Sequence, residues 1–141
     1  MSLLPSPEVL SAAGIDPSSV VVVTAHSADS WEAARAALFE AFLATRDAVV
    51  AGLPVVVIVH GDDLLGRRGA PAAMVACGLL SGARTAAIEG LKPGIPVNVL
   101  AVEDDTSPEV VASWVGRLAA KGGPSGELVH LGSAHLGKAL A

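Results

Sequence analysis

Tyrosine is missing from the 141 residues, cysteine occurs once, and the aromatic set stops at two tryptophans and two phenylalanines. A single cysteine, Cys77, excludes an internal disulfide and a thiolate metal cage. Set inside an apolar helical stretch, it reads as a packing residue and not as a nucleophile. Charge is scarce too. Charged side chains make up 16% of the chain against 52% hydrophobic, so part of the surface must be apolar, which points to a partner. Nine Lys and Arg face 14 Asp and Glu, a net charge of −5, and the basic residues are scattered; this argues against a nucleic-acid surface. Uninterrupted apolar runs fall well short of the ~20 residues that span a bilayer, and no basic-then-apolar leader opens the chain. The expectation is a soluble, cytoplasmic protein without a membrane partner.

What is present organises around residues 71–103. Residues 71–90 are rich in Ala, Leu, Met and Arg and predict one long helix, with Pro71 suited to its first turn. Gly90, Pro93 and Gly94 end it, and residues 96–102 form a nearly continuous apolar run, as expected of a parallel strand covered on both faces. Small side chains at Ala72, Ala73, Ala76, Cys77, Ser81 and Gly82 make one helix face that a second element can approach closely. That element is either the chain's own sheet or another subunit. Gly78 and Gly82 are expected where a larger side chain would collide, since glycine costs ~1 kcal/mol relative to alanine in a helix.

The rest of the chain repeats this alternation. Residues 1–19 read as an arm with a short helix over 7–13 capped by Ser6. Residues 20–25 form a valine-rich strand, and Asp29 or Ser30 caps a helix over 31–51 whose stripe of Leu38, Phe42, Thr45 and Val49, flanked by Phe39, Leu43 and Val50, predicts burial on two sides. Residues 54–59 are the second strand, with 60–63 as its exit loop. After an acidic loop at 103–107, Thr106 or Ser107 starts a helix to residue 120, and 127–131 is a short last strand. Trp31 and Trp114 are expected in helix-to-sheet packing, and His130 and His135 as structural or surface residues. The order predicts one α/β domain over 20–141, a Rossmann-like three-layer sandwich with a mainly parallel sheet of about four to five strands.

Three pieces, in this order, resemble the C-terminal half of a short-chain dehydrogenase/reductase, in particular the 3-oxoacyl-carrier-protein reductase branch. They are Leu38-Phe-Glu-Ala-Phe42-Leu-Ala-Thr-Arg46, Gly94-Ile-Pro-Val-Asn98 and Ser125-Gly-Glu-Leu-Val-His-Leu-Gly132. The resemblance covers roughly residues 20–133 and implies the last four strands of the family sheet. It places the family's Tyr-x-x-x-Lys pair at Ala72 and Ala76, its Ser near Val59 or His60, and its helix Asn near Ala37. Alanine cannot supply the phenol that exchanges a proton with the substrate oxygen. The glycine-rich dinucleotide turn belongs to the part of the family fold that the resemblance does not cover, so no cofactor is expected. The resemblance also leaves the strand at 20–25 on an open edge, to be covered by the arm or by another chain.

Two functions follow as expectations. One is a catalytically silent, pseudoenzyme-like scaffold or partner subunit. It would form a homodimer, a higher homo-oligomer or a heteromer with an active reductase, through Leu38, Phe39, Phe42, Ala73, Cys77 and Ser81 on the two long helices, the pair that builds a four-helix bundle in the family. The other is a metal or hydrolytic site at the carboxyl ends of the strands, where open α/β sheets place ligands, built from His26, His60, Asp62, Glu103 and Asp104. Arg67 and Arg68 are a further pair that could hold a phosphate.

Overall fold

Valine and its β-branched neighbours favour extended chain, and in the computed structural model, which describes residues 4–25 and 27–132, the expected segments are strands. They are β1 (Val21–Thr24), β2 (Val55–His60), β3 (Val97–Val102) and β4 (Leu128–Leu131), side by side in that order and all parallel. Parallel neighbours need crossovers, and helices supply them. An initial helix α1 (Pro7–Ala12) precedes β1; α2 (Trp31–Val50) joins β1 to β2; α3 (Gly61–Leu64) and α4 (Ala70–Gly90) join β2 to β3; α5 (Pro108–Leu118) joins β3 to β4. The sheet has four strands between two helical layers, the Rossmann-like architecture expected from the alternation.

Every residue of β2 and β3 is buried, because successive side chains point to opposite faces and both faces are covered. Val55, Val57, Val59, Val97 and Val99 pack beneath α2 and α4. Val56, Ile58, Leu100 and Val102 pack beneath α1 and α5. Serines begin three helices as expected: Ser6, Ser30 and Ser107 accept the backbone N–H of Val9, Ala33 and Val110.

Several expectations about the helices need correction. The face of α2 that meets the sheet is the alanine row Ala34, Ala41 and Ala48, whereas Phe39 and Phe42 are 61% and 59% exposed. Small side chains let the helix axis approach the sheet; Phe39, Phe42 and Val50 are turned outward, while Leu38 and Val49 are half-buried against the core. Trp31 is exposed on the same helix, while Trp114 is partly buried, with the Arg117 guanidinium 5.2 Å from its ring centre. The small face of α4 divides: Ala72 and Ala76 are buried with Val75, Leu79 and Ala83, but Cys77, Ser81 and Gly82 are exposed. Among the described residues, α4 is long and apolar enough to cross a membrane by length and composition, which the short uninterrupted runs understated; its buried side belongs to the core of this fold.

Gly78 and Gly82 also part company. A Cβ at Gly78 would lie 2.7 Å from Leu38 Cδ2, so the helices do approach closely there. A Cβ at Gly82 would meet nothing within 4 Å, contrary to expectation. Gly82→Ala is therefore expected to stabilise the folded chain by up to about 1 kcal/mol, read as a higher urea midpoint, through helix propensity alone.

Among the polar side chains that hold the fourth strand, Asn98 makes the most hydrogen bonds. Asn98 is fully buried in β3; its Nδ2 donates to Leu118 O (2.9 Å) and Pro124 O (2.7 Å), and its Oδ1 accepts from Glu127 N (3.1 Å). Ser125 Oγ accepts the N–H of Val97, and Gly126 N donates to Val97 O. The end of α5, the turn and the start of β4 are thus tied to β3. At the opposite edge, α1 packs with α5 through Leu10 and does not lie along β1. A groove of about 460 Å³ runs there between β1 and α2, with Leu4, Val22, Thr24 and Ala37 in its walls.

Candidate functional site

Parallel strands deliver their exits to one end of the sheet. The register pairs His60 with Val102 and Ala101 with His130, which brings the residues just past β2 and β3 beside β4. Residues 60–63, expected as a loop, instead enter α3: His60 is its N-cap, and Nδ1 accepts the N–H of Asp62 at 3.1 Å. An Nδ1 that accepts leaves the ring proton on Nε2, which donates to Asp104 Oδ1 at 3.1 Å. His60 is 3% exposed, so one imidazole edge is fixed by backbone and the other by a carboxylate at the surface.

Ligand atoms of His60, Asp62 and Glu103 lie within 4.8 Å of one another. Of the five expected site residues, the structure therefore joins four, counting Asp104 through His60; His26 lies outside the described residues, as does His135. His130, expected to be structural or on the surface, sits with Nε2 2.7 Å from Glu103 Oε1, both side chains largely buried. Its signal was present in strand alternation. Val129 and Leu131 pack on the α5 side, so His130 must point to the other face, toward Glu103.

Two glycines make room for this pair. A Cβ at Gly61 would collide with Glu103 Oε1, and one at Gly132 would fall 2.5 Å from Glu103 Cγ. Thr106 Oγ1 accepts from Glu103 N and donates to Leu131 O, which fixes the acidic turn against β4. Each of the two arginines has a carboxylate partner: Arg67 pairs with Asp62 at 3.0 Å and Arg68 with Asp63 at 3.4 Å. Asp63 is itself buried, and its Oδ1 has the Arg68 ion pair but no hydrogen bond.

The positions that the resemblance assigns to Tyr and Lys are elsewhere and chemically inert. Ala72 and Ala76 are 1% and 3% exposed in the interior, Ala37 is half-buried on α2, and Val59 is buried in β2.

A second region lies on the outer side of α2 and α4. A groove of about 320 Å³ runs between them, bordered by Leu38, Phe42, Val49, Gly78 and Gly82. Of the expected contact residues, Phe39, Phe42, Cys77 and Ser81 are exposed, while Leu38 and Ala73 are half-buried. Val50 and Ile88 extend the apolar surface.

No protein-family model matches the chain, and no curated protein sequence matches it. Solved structures do. A short-chain dehydrogenase from Mycobacterium smegmatis aligns with a TM-score of 0.60 at 20% identity over 93% of this chain and 68% of that one. Glucose dehydrogenase of Caenorhabditis elegans in its apo form aligns with a TM-score of 0.56 at 17% identity over 89% and 67%. The four-stranded Rossmann-like fold is thus similar to that of short-chain dehydrogenase structures, at low identity.

Proposed function

We propose that this chain is a short-chain-dehydrogenase-like subunit that does not transfer hydride and that associates, through the outer faces of α2 and α4, with a second copy of itself. The observation that carries the reading is the exposed pair Phe39 and Phe42 beside the glycine-bordered groove on α4. Two phenylalanine side chains in water forgo about 1.5–3 kcal/mol each that burial would return. A glycine-bordered groove suits insertion of a side chain from another chain. An active reductase-type subunit could use the same face, in a heteromer.

The silent part of the reading is supported by chemistry. Ala72 and Ala76 stand where the resemblance puts the proton donor and its lysine, and the 141 residues contain no tyrosine to replace it. The likeness to dehydrogenase structures at 20% identity supports the fold and leaves the activity to experiment. Mixed with NADPH and a β-ketoacyl substrate, the purified chain is expected to oxidise no cofactor above the blank. A rate that follows the chain through purification would overturn the silent reading. Light scattering is expected to give twice 14.0 kDa at micromolar concentration. A monomer there would remove the self-association.

A further inference from the structure

We propose that His60, Asp62 and Glu103 bind one divalent transition-metal ion of the Zn2+ class, with Asp104 and His130 orienting two of the three ligands. The site stands apart from association through α2 and α4. Its ligand set of one imidazole and two carboxylates mixes nitrogen and oxygen, which suits borderline ions such as Zn2+ and disfavours Mg2+ and Ca2+, whose sites are built from oxygen.

The tautomer decides how the imidazole would bind. Nε2–H is engaged by Asp104, so the lone pair is on Nδ1, the edge that faces the start of α3. An ion at Nδ1 exchanges for the single N–H of Asp62 that now occupies it. Asp104 then completes a carboxylate–histidine–metal line, the arrangement that fixes ring orientation and raises ligand basicity in metal sites. Glu103 is oriented in the same manner: His130 holds Oε1 at 2.7 Å and leaves Oε2 available. Asp62 shares Oδ1 with Arg67 at 3.0 Å, and its second oxygen can turn to the ion.

Distances set the adjustment required. Neighbouring ligands on a tetrahedral zinc with bonds of 2.0–2.1 Å are about 3.4 Å apart, against the 4.8 Å limit here. The three side chains therefore have to draw together around the ion, an adjustment of the kind that carboxylate rotation supplies. Three protein ligands also leave a fourth position open, as in zinc sites that hold a water. The glycine at position 61 is part of the site, since a side chain there would displace the Glu103 carboxylate.

The test uses the full chain without an affinity tag. Calorimetric titration with ZnCl2 is expected to give one ion per chain, and Co2+ to give the visible ligand-field bands of a bound, low-coordinate ion. Glu103→Gln and His60→Asn are each expected to weaken Zn2+ by more than tenfold. Asparagine retains helix-capping ability, so His60→Asn removes the imidazole while keeping the start of α3, which far-ultraviolet circular dichroism checks. Asp104→Asn is expected to weaken binding by about tenfold to a hundredfold, the usual range for orienting residues. Asp105→Asn, exposed and one residue further along, is expected to leave it unchanged. Zn2+ bound at well below one ion per chain would overturn the proposal. So would an affinity that survives Glu103→Gln, which places the ion elsewhere, or one that falls equally with Asp105→Asn, which marks general attraction to an acidic turn.

Discussion

Replacing Asn98 by leucine is expected to lower the stability of the chain by about 3–5 kcal/mol, the largest loss we anticipate for one side chain outside the apolar core. The amide satisfies two carbonyls and one N–H, at Leu118, Pro124 and Glu127, and leucine satisfies none of them. Each buried group left unpaired costs about 1–3 kcal/mol. Pro124 and Glu127 lie nearer solvent, where water recovers part of the loss, so the figure stays below the full sum. Against a total stability of roughly 5–15 kcal/mol, this is enough to change the folded fraction under mild denaturant. Two readouts separate it from generic core damage. The urea midpoint is expected to fall, and the amides of β4 are expected to exchange before those of β1, β2 and β3. A loss under 1 kcal/mol would mean that the turn after α5 is held by Ser125 and Gly126 alone. The same substitution bears on the site, because β4 carries His130 to Glu103.

Much of the fold was legible because it depends on local chemistry. Valine runs marked all the inner strands, serines before acidic or proline-led turns marked the starts of α1, α2 and α5, and glycine and proline marked the ends. The side on which α2 is buried was not legible. Phe39, Phe42 and Val50 outweigh Ala34, Ala41 and Ala48 on any hydrophobic scale, yet close approach to a sheet favours the smaller row. Gly78 and Gly82 look alike in sequence and differ only in whether Leu38 stands opposite. The candidate ion site was half legible. His60, Asp62, Glu103 and Asp104 follow from the rule that parallel strands gather their exits at one end, but the partnership of His130 with Glu103 requires the register of β4 against β3. The short α3 was missed because a histidine cap is uncommon, and its effect is to set the tautomer of the ring.

Phe42→Glu is expected to weaken self-association by at least about 100-fold, which takes a micromolar dimer into the monomeric range. At a two-fold interface one substitution acts twice: it removes a ring from each copy and sets two carboxylates near each other in a desolvating contact. Aromatic side chains of this kind carry a disproportionate share of interface energy. The ring is 59% exposed in the single chain, so folding stability is expected to change by less than about 1 kcal/mol. That contrast separates loss of association from loss of fold. A stable interface requires about 1,000 Å² or more of buried surface, so Phe39, Val50 and Ile88 must join Phe42 in the contact.

Sedimentation equilibrium on the wild-type chain and Phe42→Glu, side by side over a dilution series from the micromolar range upward, tests the association most directly. The account predicts a dimer for the wild type and, for the variant, a folded chain that is monomeric in the micromolar range and dimerises only at concentrations about 100-fold higher or more. A wild type that stays monomeric throughout, or a variant that dimerises as tightly as its parent, would contradict it.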